Sequence, residues 1–320
     1  MREGATPLTV LRDTRLAAAA ALICVAAAAG CGTGAGAGEG EVELTVSRDY
    51  GADVLLERSA EVSESDTVLD VLDSSAEVET SYGGGFVDSI DGLAGGTDDG
   101  RSSDWFFYVN GIESPVGSAE AGVAGGDRIW WDHHDWSTAM RVPAVVGSWP
   151  QPFTGGFEGR DWSTGVYCGG ARGACAAVND ALEDEGVRTG ADPGPSDDAE
   201  GEDGEIRVLV GPWQAISDDP VAALLAGGPR RSGVFATFSG VEPSVGLTLL
   251  DERGRVAEVL TAGAGLVAAL RPGEGPPTWV VTGTDDRGVA AALDLLGDPL
   301  RDRFAAAIVE NQGHVGVPVR

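Results

Sequence analysis

The chain contains no lysine: all 21 of its basic residues are arginine, set against 51 acidic ones, for a formal net charge of -30 over 320 residues. Nucleic acid is a poor partner for such a chain, because phosphate binding needs clustered cations that displace counterions. The missing lysine also excludes a P-loop, and no G-x-S-x-G serine elbow occurs. Histidine is almost as scarce, with three residues, and there are four cysteines. Aromatic residues make up only 6% of the chain, so any place where they gather is informative. What is abundant is alanine, glycine, arginine and aspartate. At 42% hydrophobic content the chain is long enough for two modest domains with real cores.

Arg2, Arg12 and Arg15 precede the apolar run LAAAAALICVAAAA at residues 16–29. It is shorter than the roughly 20 helical residues needed to span a bilayer, and it reads as the core of a signal peptide over residues 1–30. The tail AAGC ending at Cys31 resembles the lipobox of bacterial lipoproteins, with Ala28 where leucine is usual. The resemblance implies lipid on Cys31 and a chain anchored to the outer face of the cytoplasmic membrane. Residues 31–40, rich in glycine, read as a flexible tether. With Cys24 in the leader and Cys31 acylated, Cys168 and Cys175 remain, and an exported chain would oxidise them to a disulfide.

From residue 41 to 136 the signals change quickly. VELTV places Val42, Leu44 and Val46 on one strand face, and a turn at 49–52 leads to a second strand at 54–57. Ser65-Asp66 can cap a helix, TVLDVLDSS, whose Val68, Leu69, Val71 and Leu72 form one apolar stripe. YGGGFVDSIDGL reads as a glycine loop entering a strand, and Asn110-Gly111 in DWFFYVNG is a hairpin signal. A strand IWWDHHDW follows. Residues 137–160 hold three prolines and read as an ordered connector. From 161 to 320 strands and helices alternate: STGVYC strand, ARGACAAVNDALEDEG helix, IRVLVGPW strand, PVAALLAGG helix, GVFATF and GLTLLDERG strands, LVAAL helix, TWVVTG strand, GVAAALDLL helix. Residues 187–204, acidic and without an aromatic, read as a disordered loop.

The ordered series TVLDVL, YGGGFVDSIDGL, DWFFYVNG, VG and GDRI over about 95 residues resembles the transcobalamin-like C-terminal domain family, many of whose bacterial members have no assigned function. The resemblance implies a β-grasp domain related to the small ubiquitin-like and SLBB-like ligand-binding modules, and, by analogy with vertebrate carriers, a corrinoid such as cobalamin as ligand. The all-helical barrel that accompanies this domain in the carriers has no counterpart here. The expected fold class is therefore α+β: an N-terminal β-grasp domain followed by a small α/β domain.

Strand alternation puts Trp105, Phe107, Val109, Ile129, Trp131 and His133 on one side of that domain's sheet, and Phe106, Tyr108, Trp130, Asp132, His134 and Trp136 on the other. One helix covers one side only, most naturally that of Val109 and Ile129. The other would expose a large aromatic patch, costly at ~25 cal/mol per Å². Either the rest of the chain packs there or a flat ligand stacks there. The ligand reading takes Phe106, Tyr108, Trp130, His134 and Trp136, with backbone approach at Tyr82, Gly83 and Gly84, as the binding set. Because His133 and His134 point to opposite faces, they share a metal only across a bulge; Asp132 and His134 together offer two ligands.

Gly263, Gly265 and Ala268 give a G-x-G-x-x-A run that would open a helix, with Asp285 some twenty residues on, the spacing of a dinucleotide fingerprint. An exported chain meets little nicotinamide cofactor, and a glycine- and alanine-rich sequence produces such runs by chance. Asp285-Asp286 sits where an α/β ligand site or a helix cap would be. The sequence thus predicts a non-catalytic exported binding protein that captures a small amphipathic molecule and hands it to a membrane importer, with no cofactor required. An envelope protein-protein or polymer interaction module is the alternative, and an enzyme of the α/β domain the third. If Cys31 carries the anchor, Cys31→Ser moves the protein from the detergent phase to the aqueous phase in a phase-partition assay; unchanged partitioning would refute acylation at this residue.

Overall fold

A computed structural model describes residues 38–190, 204–240, 244–309 and 313–320. The expected leader, Cys31 and the first part of the expected tether lie outside these residues. The structure is mixed α+β and mostly strand. β1 (Gly40–Arg48) buries Val42, Leu44 and Val46, as their alternation predicts. The last tether residues are ordered as well, since Gly38 bridges Ala124 and Gly40 lies within the strand. β2 (Asp53–Val62) returns antiparallel to β1. α1 (Val68–Asp73) is capped by Thr67 rather than by Ser65-Asp66: Thr67 and Asp70 form a reciprocal capping box, while Asp66 accepts from the backbone of Ser63. Val68, Val71 and Leu72 point into the core.

β3 (Val78–Ser81), β4 (Phe86–Ile90) and β5 (Leu93–Ala94) form a small antiparallel sheet. β6 (Gly96–Asp98), β7 (Arg101–Val109), β8 (Ile112–Glu113) and β9 (Arg128–Asp135) complete the first large sheet, ordered β2-β1-β9-β7-β6 with β8 on β7. Its central pair, β1 and β9, is parallel. β7 turns into β8 at Asn110-Gly111, where both residues have positive φ (54° and 77°), the conformation this dipeptide favours.

In the second half, β10 (Ser163–Cys168), α2 (Arg172–Asp184), β11 (Thr189–Gly190), β12 (Glu205–Pro212), α3 (Trp213–Ile216), a 3₁₀ segment (Ala222–Gly227) and α4 (Pro229–Ser232) follow in order. The disulfide Cys168–Cys175 joins the end of β10 to the first turn of α2, with Cα atoms 6.0 Å apart. β13 (Ala236–Ser239), β14 (Gly246–Leu250) and β15 (Val256–Leu260) make a three-stranded meander. β16 (Ala264–Leu270), β17 (Thr278–Gly283), α5 (Asp286–Leu293), β18 (Ala305–Val309) and β19 (Gly313–Val317) finish the chain. The second large sheet runs β11-β10-β12-β17-β16-β18-β19, parallel from β11 to β17 and antiparallel beyond.

Several expectations are corrected. LVAAL is the centre of β16, not a helix: all seven residues of that strand are buried, which suits a central strand and not a surface helix. Gly263 and Gly265 therefore enter a strand, and the dinucleotide fingerprint has no geometry to act with. Asp285 is instead the N-cap of α5, accepting from Gly288 and, across the loop, from Gly263. PVAALLAGG is a 3₁₀ segment. Of the loop expected at 187–204, residues 187–190 are ordered, with Val187 buried and β11 paired to β10, whereas 191–203 lie outside the described residues. β18, an apolar AAAIV run, and β19 are strands where none was expected. Among the described residues no helix is long and apolar enough to cross a membrane.

The connector at 137–160 is ordered, burying Val142, Ala144, Val145, Val146, Trp149, Phe153 and Phe157. Asn110 binds it in: its Nδ2 donates to Gly156 O and to Asp127 Oδ1, and its Oδ1 accepts from Arg128 N. Burial pushes the Asp127 carboxyl up to about 6, against the opposing hydrogen bonds from Ala124 N and Asn110. Because this folded value lies above the unfolded one, the contribution of Asp127 to stability is complete below the ordinary value of 3.8 and is lost as pH rises through 6. The loss is on the order of 3 kcal/mol. A carboxyl NMR titration should place the Asp127 midpoint near 6, and Asp127→Asn should flatten stability against pH between those values; a midpoint at 3.8 would refute it.

Candidate functional site

β7 and β9 bring the expected aromatic residues into register, Tyr108 opposite Trp130 and Phe106 opposite Asp132. Their face is not open. Tyr108, Trp130 and His134 are 0%, 3% and 2% exposed, and the cover is protein. Phe304, from the segment leading into β18, sets its ring edge-on 5.1 Å from Trp130, 5.5 Å from Tyr108 and 5.5 Å from His134. Tyr50 and Phe106 sandwich the His134 ring at 4.4 Å on each side. Phe235 closes on Tyr50 at 4.9 Å. The expected ligand-stacking surface is thus an internal contact between the first sheet and the C-terminal half. Gly51, at φ 77°, permits this, since a Cβ there would lie 2.7 Å from the Trp130 ring.

Under this face Asp132 is wholly buried and fully engaged. It accepts from Ser47 Oγ (2.5 Å), Tyr50 N (3.0 Å), Gly51 N (2.8 Å) and the Nδ1 of His134 (2.8 Å). Trp130 Nε1 in turn donates to Ser47 Oγ at 2.7 Å. Ser47, Asp132 and His134 contain the residue types of a hydrolytic triad in the wrong sequence: the carboxylate stands between serine and imidazole, so the hydroxyl faces Asp132 and not the imidazole. The Tyr50 hydroxyl donates to Asp135 O, and burial, followed by the charges of Asp132 and Asp135, holds it far above the usual phenol range. His133 lies on the opposite face beside Trp105, with no bulge to join it to His134. Among the described residues no group of three or more metal-ligating side chains comes together.

The remaining expected site residues are elsewhere. Trp136 is half-buried and donates Nε1 to Asp104 Oδ2 at 2.8 Å. Tyr82, Gly83 and Gly84 lie on the helix side of the first sheet, where a Cβ on Gly84 would meet Leu69 at 2.8 Å. All three have positive φ (51°, 70° and 88°), and the turn leaves Tyr82 93% exposed; Phe86 and Val116 are exposed too. The eight expected binding residues therefore divide into four at a buried interface, three in a separate surface loop, and Trp136, which lies in neither.

A cavity of 490 Å³ opens instead on the second sheet, lined by Tyr167, Cys168, Gly169, Arg207, Leu209, Ala215, Ile216, Asp218, Asp219 and Pro220. β10 leads away through α2 to β11, whereas β12 leads the other way to β17, so their junction is the point in the parallel sheet where connections diverge. Arg207 and Leu209 lie on one face, opposite Gly165 and Tyr167. Gly169 lets the end of β10 approach α3, because a Cβ there would be 2.9 Å from Ile216. The Arg207 guanidinium is 1% exposed, pairs through Nη2 with Asp219, and stands 5.2 Å from the Tyr167 ring centre. Its Nε and Nη1 have no acceptor among the described residues. The sequence carried one overlooked sign of this, a charged residue within the apolar strand IRVLVGPW.

Residues 65–135 match the model of a domain family of unknown function, DUF4430. No curated protein matches the chain. Among solved structures, the crystal structure of a "putative metal binding protein" from Ruminococcus gnavus ATCC 29149 is similar at 18% identity, covering 30% of this chain and 98% of its own, with a TM-score of 0.24.

Because the aromatic face is an internal contact, Phe304→Ala should destabilise the protein by about 3–5 kcal/mol in urea unfolding. Trp130→Ala should behave likewise, with near-ultraviolet dichroism lost at the same denaturant concentration. A loss below about 1 kcal/mol for Phe304→Ala would show that the contact does not hold the two halves together.

Proposed function

We propose that this chain is an exported, lipid-anchored binding protein that captures a small amphipathic molecule at the outer face of the cytoplasmic membrane for delivery to an importer, and that the cavity beside Arg207 is the capture site. The cavity carries the reading. Its 490 Å³ lies within the range of about 300–1,000 Å³ usual for small-molecule sites, and it combines apolar walls with one positioned cation. Export is supported by the leader at 16–29 and by the Cys168–Cys175 disulfide. The helix across one face of the first sheet, and its parallel central pair β1 and β9, support a β-grasp assignment and with it the transcobalamin-like resemblance. A corrinoid enters as candidate ligand through that resemblance alone, because Phe304 and Phe235 occupy the face expected to stack it.

A second reading, a docking module for an envelope partner, is favoured by one observation: the glycine turn holds Tyr82 out at 93% exposure, and the chain around it also exposes Phe86 and Val116. Such a patch is the kind of surface that contacts other molecules.

The neutral fluorophore N-phenyl-1-naphthylamine should bind saturably to the chain, and Ala215→Trp, at an exposed position on the cavity rim, should abolish the signal. Calorimetry with cyanocobalamin runs in parallel; heat that survives Ala215→Trp would move the site away from this cavity. Absence of saturable binding by either compound would overturn the capture reading, and Tyr82→Ser would then be the variant to compare in partner cross-linking.

A further inference from the structure

The cavity's charged groups are unequally satisfied. Asp219 is held in place by the chain that follows it: its Oδ1 accepts from Val221 N at 2.9 Å and from Ala222 N at 3.1 Å, while its Oδ2 accepts from Arg207 Nη2. It cannot turn to serve the rest of the guanidinium. Arg207 Nε and Nη1 are left as buried donors without an acceptor, an unfavourable state; they present no open surface to the cavity, so a ligand oxygen relieves it only as the guanidinium shifts toward the space that Arg207 lines. Arginine is also the side chain whose N–H geometry best suits a carboxylate.

Charge narrows the ligand further. Arg207 is already balanced by Asp219, and exposed Asp218 adds a second carboxylate to the same lining, in a chain of net charge -30. A simple anion entering this lining meets an excess of negative charge, whereas a molecule carrying its own cation does not. Leu209, Ile216 and the Tyr167 ring supply apolar wall for a third group. We infer that the cavity beside Arg207 and Asp218 binds a zwitterionic amino acid with a large apolar side chain, its carboxylate on Arg207 and its ammonium on Asp218. The inference rests on the capture reading and assigns the ligand class of that same site.

The test is calorimetric titration of the intact chain with L-phenylalanine, N-acetyl-L-phenylalanine and L-phenylalanine amide, which keep the ring but remove in turn the cation and the anion. L-phenylalanine should bind, and each derivative should bind about tenfold or more weakly. Asp218→Asn, at an exposed position, should weaken L-phenylalanine about tenfold while leaving N-acetyl-L-phenylalanine unchanged. Arg207→Met should abolish binding of L-phenylalanine and, because it strips Asp219 of its buried partner, also lower the melting temperature; should that variant unfold, the Asp218→Asn arm decides. Equal affinity for L-phenylalanine and either derivative, or an indifferent Asp218→Asn, overturns the inference. So does absence of L-phenylalanine binding in a chain that still takes up N-phenyl-1-naphthylamine, an outcome that leaves the capture reading standing. Failure of both probes removes both.

Discussion

The side of the first sheet that carries Phe106, Tyr108, Trp130 and His134 has to be taken out of water, and the helix α1 is already committed to the other side. The solution is Phe304. Its ring touches Tyr50, Tyr108, Trp130 and His134 together, so a single side chain from the C-terminal half serves as the key of an aromatic core. That core continues through Phe235, Leu249 and Leu266 into the β14 and β16 strands. The two halves therefore share one apolar interior, and the surface most suggestive of a stacking site in the sequence is the contact that unites them.

Close packing of this kind requires that the polar atoms trapped inside it be answered. Asp132 shows how: four donors from Ser47, Tyr50, Gly51 and His134 converge on one buried carboxylate, and the tight turn at 49–51 is what brings two backbone N–H groups to it. His134 is oriented by that bond and clamped between two rings, an arrangement that packs the aromatic core. Asn110 and Asp127 perform the corresponding task at the other end of the sheet, tying a hairpin to the connector.

Not every trapped polar atom is answered: the Tyr108 hydroxyl within the aromatic core has no partner among the described residues, and Arg207 is the residue that leaves two such atoms. The molecule satisfies its other central charged group with four hydrogen bonds but leaves two donors of a buried guanidinium open, and it does so beside a cavity, at the divergence point of a parallel sheet. Buried donors without partners are uncommon in folded proteins because each represents hydration lost and not replaced. Their position next to enclosed space is why the cavity, and not the aromatic face, is assigned the ligand.

What the sequence by itself determined is what depends on neighbours a few residues apart. The alternation of Val42, Leu44 and Val46 set the buried face of β1, Asn110-Gly111 set a hairpin through its positive φ, and the spacing of Cys168 and Cys175 allowed a strand end to be bound to a helix start. The two-sided pattern of β7 and β9 was likewise readable, including the side that α1 covers. Only the tertiary structure decided what covers the second side, because Phe304 is 174 positions from Trp130 and nothing local links them. It also decided that AGLVAAL is a strand, since a continuous apolar run has no period of its own and takes its conformation from the strands β17 and β18 on either side. The site followed the same division: Tyr82 to Gly84 were rightly read as a glycine turn, but the arginine in an apolar strand acquires meaning only when Asp219, Tyr167 and an empty space are folded around it.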